Sequence, residues 1–324
     1  MKKLISIMLF LMLVVSMATV AFAAENDTVD YTPVAAGTSF KINKTYENEN
    51  NVIVSETLKF VPVADSNNPT DVNISVADLT VDSLSEEITV TLPEFTKAGI
   101  YRFTITETAG DASGVTYSGD TIHVAVLVAY DNENNKLVIE NTTSYIEKLN
   151  GTKDDTFTNS FKSGSFTVEK AITGNMADKN DTFEITVTLT APANTVIRNP
   201  ITVAGESVTV NASTYTKTLT ISQNTGQVTF SDIPDGVIVT VSENTAEDKM
   251  NGYTYVDTKY DGATGTSLTV DADAEDPQSV VVTNNKNSEV DTGITLDSVP
   301  FVLILVVCAV AVVLFVTKRR RVEV

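Results

Sequence analysis

The sequence predicts an all-β protein: two tandem immunoglobulin-like β-sandwich domains, with an N-terminal signal peptide and a C-terminal single transmembrane helix. Three observations carry that prediction. Between the two ends, short runs rich in Thr, Val and Ile alternate apolar with polar or small residues, and no helical period is sustained. The segment Ser39-Phe40-Lys41-Ile42-Asn43-Lys44 returns 126 positions later as Ser165-Phe166-Thr167-Val168-Glu169-Lys170, an internal repeat of domain size. Long uncharged stretches lie at the two termini.

At the N-terminus, Lys2 and Lys3 precede an apolar stretch from Leu4, and Ala21-Phe22-Ala23 forms a small-x-small cleavage site ahead of Ala24. Residues 1–23 therefore read as a signal peptide rather than an uncleaved anchor, and the middle of the chain as exported. The first sandwich is assigned to residues 38–162, with strands such as Ile88–Leu92 and His123–Val128 and a turn at Asp131–Asn135. The boundary falls near Lys162-Ser163-Gly164. The second sandwich, residues 163–288, has a strand at Phe183–Leu189 and a turn at Pro234-Asp235-Gly236. Residues 289–324 close the chain with Glu289-Val290-Asp291-Thr292-Gly293, a polar spacer, an uncharged run at 299–316, and Lys318-Arg319-Arg320-Arg321. A run of that length, at about 1.5 Å per residue, nearly crosses a hydrocarbon core of roughly 30 Å, and the basic cluster belongs on the cytoplasmic side.

This three-part ending resembles a sortase sorting signal of Gram-positive bacteria, with Glu-Val where the familiar form has Leu-Pro. The resemblance implies cleavage between Thr292 and Gly293 and transfer of the Thr292 carboxyl to an amine.

Composition narrows the partners. The formal charge is -20. Lys2, Lys3, Lys318, Arg319, Arg320 and Arg321 are six of the 22 basic residues, and Glu323 is one of 42 acidic ones; without them 16 basic face 41 acidic residues. Such a surface disfavours nucleic acid and anionic membrane, and it favours solubility at high local density. Cys308 is the only cysteine and lies in the apolar run, so the exported part has no disulfides.

Six polar residues break the pattern of apolar inward faces. Strand side chains alternate sides, so parity gives their direction. Lys44 shares parity with Phe40 and Ile42, and Lys170 with Phe166 and Val168. Glu107 follows Tyr101, Phe103 and Ile105 in steps of two; Glu243 follows Val237, Val239 and Val241. Asn159 lies between Phe157 and Phe161, and Asn284 follows Val280 and Val282. Each half thus carries an inward Lys, Glu and Asn in that order. Asn141 is a second inward candidate in the first half, by parity with Leu137 and Ile139; Asn159 is preferred because its apolar-Thr-Asn setting matches that of Asn284.

Burying these groups is costly unless they satisfy one another. Desolvation lowers the pKa of a lysine and raises that of a carboxylic acid. A neutral amine beside a carboxamide is then a nucleophile facing an electrophile, and a protonated carboxyl can polarise the carbonyl and pass a proton to departing ammonia. The product is a Lys–Asn isopeptide bond, made once without a separate enzyme. For one isolated triad, a buried ion pair plus a hydrogen-bonded amide is the commoner arrangement. Two copies in matching order, in an exported region without cysteines, favour the reactive reading.

The order Lys, Glu, Asn in each of two β domains, followed by Glu-Val-x-Thr-Gly, resembles a two-domain major (backbone) pilin of Gram-positive bacteria, streptococcal type. The resemblance implies bonds Lys44–Asn159 assisted by Glu107 and Lys170–Asn284 assisted by Glu243. It also implies a structural rather than enzymatic protein, polymerised by a pilin-type sortase that joins Thr292 of one copy to a first-domain lysine of the next. Lys153 occupies the position of the family's linking lysine, with Lys148 and Lys162 close by. Expected partners are other copies of the chain, the sortase, peptidoglycan or accessory pilins, and a host surface ligand; the expected location is the pilus and cell wall. A wall-anchored monomeric adhesin is the alternative. No cofactor or metal is expected: His123 lacks partners, and Asp271–Asp276 reads as a solvated acidic loop.

Overall fold

The computed structural model describes residues 31–146, 154–260, 266–288 and 299–320. The first body contains β1 (Ser39–Glu47), β2 (Thr57–Ala64), β3 (Ser75–Val76), β4 (Leu79–Thr80), β5 (Ser85–Thr91), β6 (Gly99–Thr108), β7 (Val115–Thr116), β8 (Thr121–Asp131), β9 (Lys136–Ile146) and β10 (Thr156–Phe161). One sheet runs β3-β5-β1-β10-β7 and the other β4-β2-β6-β8-β9. Burial alternates along the strands, as one-sided sheets require; β8 buries Ile122, Val124, Val126 and Val128 while their neighbours face outward. Phe60 from one sheet stacks on Phe157 from the other at 5.5 Å between ring centres, which places the core between the layers.

The second body repeats the plan with β11 (Ser163–Thr173), β12 (Phe183–Thr190), β13 (Pro200–Val203), β14 (Glu206–Thr209), β15 (Thr214–Ile221), β16 (Val228–Pro234), β17 (Ile238–Glu243), β18 (Thr254–Tyr260), β19 (Leu268–Thr269) and β20 (Gln278–Asn285). Its sheets run β14-β13-β16-β11-β20-β18 and β15-β12-β17-β19. Phe166, Val168, Val187, Val239, Phe230 and Val282 are among its fully covered core residues. Two β sandwiches in series agree with the all-β, two-domain expectation.

In each body the first and last strands are parallel neighbours: β1 pairs with β10, and β11 with β20. The chain therefore enters at one end of the sandwich and leaves at the other. Tension between the ends loads that central pair in shear.

The bodies touch through backbone as well as side chains. Ser113 N–H donates to the Val196 carbonyl and Val196 N–H to the Asp111 carbonyl, at 2.9 and 2.8 Å. Ser55 N–H donates to the Arg198 carbonyl at 2.9 Å, and Arg198 forks onto both Asp111 oxygens at 2.7 and 2.9 Å. At the connection itself, Lys162 N–H donates to the Gly114 carbonyl, and Lys162 O accepts from Asp235 N–H. Gly114 has φ +74°, and a Cβ there would stand 2.6 Å from Lys162 O. A side chain is excluded on both counts.

Helix α1 (Val299–Arg320) carries an apolar span at Pro300–Lys318, with mean hydropathy 3.0 and none of it buried. Among the described residues it is the helix long and apolar enough to cross a membrane, in agreement with the expected C-terminal segment.

One sequence expectation fails. Asn141 faces solvent, because the β8–β9 pairing slips between Leu127 and Val128: Leu127 is opposite Asn141 and Val128 opposite Ile139, leaving Glu140 as an extra residue. The bulge breaks the parity that Leu137 and Ile139 suggested.

Candidate functional site

The six inward polar residues gather in two places, one per sandwich. Register explains how. Lys44 is opposite Phe157 on the parallel partner, so Asn159 lies two residues further along on the same face. Lys170 is opposite Val282, and Asn284 again lies two residues on. A lysine is long enough to reach diagonally across that step. Glu107 on β6 and Glu243 on β17 come from the facing sheets, so each site spans the sandwich.

In the first domain, Lys44 Nζ is 3.0 Å from Glu107 Oε2, with the two side chains 2% and 0% exposed. Asn159 Nδ2–H donates to Glu107 Oε1 at 2.7 Å. In the second, Lys170 Nζ is 3.1 Å from Glu243 Oε1, both side chains 0% exposed, and Asn284 Nδ2–H donates to the same oxygen at 2.8 Å. In both, one carboxylate holds the amine and the carboxamide together. Burial pulls the Lys44 and Lys170 pKa values below the ordinary lysine value, against the opposing pull of Glu107 and Glu243. The amine–carboxylate contacts are at ion-pair distance but off the hydrogen-bond direction: Glu107 Oε2 and Lys170 Nζ make no hydrogen bond among the described residues.

The two sites differ around the carboxamide. Asn159 Oδ1 accepts from Ser118 N–H at 2.8 Å, and Asn159 Nδ2–H also approaches Tyr46 Oη at 3.3 Å. Tyr46 O–H donates to Glu56, which also accepts from Tyr117 O–H at 2.7 Å. Burial raises the pKa values of Tyr46, Tyr117 and Glu56. Asn284 Oδ1, by contrast, is buried without a hydrogen-bond partner among the described residues. Below Lys170 lies the Phe183 ring, 4.4 Å from Nζ to its centre.

Tyr46, Glu56, Tyr117 and the Ser118 N–H escaped the sequence reading. Tyr46 does share parity with Lys44, but an inward tyrosine passes as ordinary core. Glu56 precedes β2 in an irregular segment that has no period to read.

Of the other sequence candidates, Lys162 is exposed and paired with Asp273 at 2.9 Å. His123 stacks on Tyr145 at 5.5 Å. Lys153, Lys148, Thr292 and Gly293 lie outside the described residues, as do residues 1–23. No cluster of metal-ligating side chains occurs among the described residues.

Comparison with known proteins gives two family matches. Residues 36–162 match FctA, the Spy0128-like isopeptide containing domain, and residues 164–286 match a domain of unknown function, DUF7601. A curated Streptococcus pyogenes serotype M1 protein named pilin is 25% identical over 238 residues, covering 70% of this chain and 69% of that one. The crystal structure of a mutant major pilin from Streptococcus pyogenes superposes with a TM-score of 0.53 at 21% identity, over 78% of this chain and 100% of the other. The unmutated major pilin of that species gives a TM-score of 0.48 at 22% identity, over 78% and 99%.

Proposed function

We propose that this chain, a two-domain pilin of the streptococcal backbone type, is the covalently joined repeating subunit of a cell-surface pilus, each sandwich being locked by a self-made isopeptide bond. The observation that carries the reading is the shared geometry of the two triads: an amine and a carboxamide on parallel first and last strands, bridged by a buried carboxylate from the facing sheet.

The chemistry follows from that placement. Burial disfavours the charged form of each lysine; from the neutral amine, Nζ bonds to the asparagine Cγ while the Cγ–Nδ2 bond breaks. Nδ2 leaves as ammonia, taking up the hydrogen that the amine gives up. Glu107 or Glu243, in contact with both partners, carries that proton across. Each triad acts once, on its own domain.

The bonds Lys44–Asn159 and Lys170–Asn284 join the strand pairs that tension shears. Force then passes from the first strand through the amide to the last, and the residues between them stay outside its path. Junctions between subunits complete the fibre. A pilin-type sortase cuts between Thr292 and Gly293 and joins the Thr292 carboxyl to Lys153 of the next copy. Helix α1 and the basic tail hold the precursor at the membrane until that transfer, and the final transfer is to peptidoglycan or a basal accessory subunit.

An immunoblot of the producing cell's wall extract tests this. A high-molecular-weight ladder that survives boiling in detergent is expected. A single band at the subunit's size would contradict it and mean a wall-anchored monomeric adhesin instead.

A further inference from the structure

The two triads are not equally equipped. Opposite Asn159 in the parallel register stands Tyr46; opposite Asn284 stands Ile172. The Tyr46 hydroxyl hydrogen is committed to the Glu56 carboxylate, which leaves the phenol oxygen as an acceptor facing Asn159 Nδ2. With Glu107 Oε1 taking one Nδ2 hydrogen, Tyr46 taking the other and Ser118 N–H on Oδ1, both donors and one lone pair of the first carboxamide are held. Among the described residues the Asn284 carboxamide has only its bond to Glu243, and its buried oxygen has no donor.

Glu56 is itself held from several sides. Tyr117 O–H donates to its second oxygen, and Tyr117 Oη accepts from Ala112 N–H at 2.9 Å. A Cβ on Gly110 would fall on the Glu56 carboxylate and the Tyr117 hydroxyl. The second domain pins both flanks of this cluster: Arg198 O holds Ser55 N–H, and Val196 bonds the backbone of Asp111 and Ser113. The Glu56 charge favours the protonated form of Lys44, against burial, but among the described residues Glu56 makes no hydrogen bond to Lys44, Glu107 or Asn159. Its hydrogen-bonded reach to the carboxamide runs through Tyr46.

We propose that Glu56 is a positioning residue for the first-domain isopeptide bond: it polarises Tyr46, whose oxygen fixes the leaving Nδ2 of Asn159 while Ser118 N–H receives the charge that develops on Oδ1. Among the described residues of the second domain neither device is present, so its bond forms more slowly. This rests on the isopeptide reading above. The balance is unchanged: Lys44 Nζ–Cγ forms, Cγ–Nδ2 breaks, one amine hydrogen leaves with the ammonia, and Glu56 and Tyr46 return to their starting states.

The test is a pulse-chase of the full chain in the producing cell, with each cross-linked peptide quantified by mass spectrometry after acid quench, so that one molecule reports both domains. Wild type is expected to complete the Lys44–Asn159 bond before the Lys170–Asn284 bond. Tyr46→Phe, which keeps the ring, and Glu56→Gln should each slow the first bond roughly tenfold, the rate equivalent of about one hydrogen bond, and leave the second unchanged. Because Glu56 acts through Tyr46, the double variant should be no slower than Tyr46→Phe alone. Amide-exchange protection of β10 in the same samples reports whether the first domain is folded. Wild-type rates in folded Tyr46→Phe, or additive slowing in the double variant, would overturn the proposal. If Glu56→Gln fails to fold, Tyr46→Phe decides the effect, and Glu56→Asp, which withdraws the carboxylate from Tyr46, decides whether Glu56 carries it: a slowed first bond in the folded domain supports the relay, and a wild-type rate overturns it. Neither bond in the wild-type chain would instead sink the underlying isopeptide reading.

Discussion

Replacing Asn284 with Ala removes the electrophile of the second domain and leaves the Lys170–Glu243 pair intact, so the perturbation isolates the cross-link. Without the amide, a closed loop of about 115 residues opens in the unfolded chain, which chain entropy values at about 4.8 kcal/mol. A domain of roughly 120 residues unfolds with an entropy near 0.25 kcal/mol per kelvin, so the melting temperature should fall by about 20 °C. Differential scanning calorimetry measures this, with the unaltered first domain as reference within the same molecule. The variant's mass should also be about 17 Da higher, relative to its sequence, than that of wild type. A fall of only about 4 °C is what loss of the Asn284–Glu243 hydrogen bond of an unlinked triad gives, and with an unaltered mass deficit it would refute the cross-link reasoning.

Three other outcomes are expected. In an Asn159→Ala/Asn284→Ala double variant, Lys44 and Lys170 stay free amines whose folded pKa values lie below the ordinary 10.5. Between the lowered folded value and 10.5 the unfolded chain binds more protons, so stability to urea should rise as pH is raised toward 10.5 and level off above it; wild type should lack that slope if its amines are acylated as proposed. Thr292→Ala should abolish the wall-extract ladder on immunoblot while leaving the mass deficit of the subunit intact. Gly114→Ala should lower the urea midpoint by the equivalent of about 1–3 kcal/mol, because φ +74° and the Lys162 carbonyl both oppose a side chain.

The triads were legible because their strands are regular. Parity along β1, β6 and β10, and along β11, β17 and β20, carries each polar side chain inward, and the repeat singled out these positions among many charged ones. The parallel pairing of first and last strands, which sets the diagonal Lys–Asn step, has no local signal; it is a property of the whole topology. Asn141 misled for the opposite reason, since one bulged residue at Glu140 reverses everything beyond it. Glu56 and the Ser118 N–H lie in irregular segments, and the Asp111–Arg198 junction joins loops 87 residues apart, so periodicity is silent on all of them. Tyr46 was visible as inward but not as polar in role, because its hydroxyl acquires meaning only from Glu56 and Asn159.

The most direct test of the account is the intact mass of the exported region purified without its terminal segments. If both buried triads react, the mass is about 34 Da below that required by the sequence, one ammonia for each bond, and Glu107→Ala or Glu243→Ala restores about 17 Da apiece. A wild-type mass equal to the sequence mass would contradict it and leave the six residues as buried ion pairs with hydrogen-bonded amides.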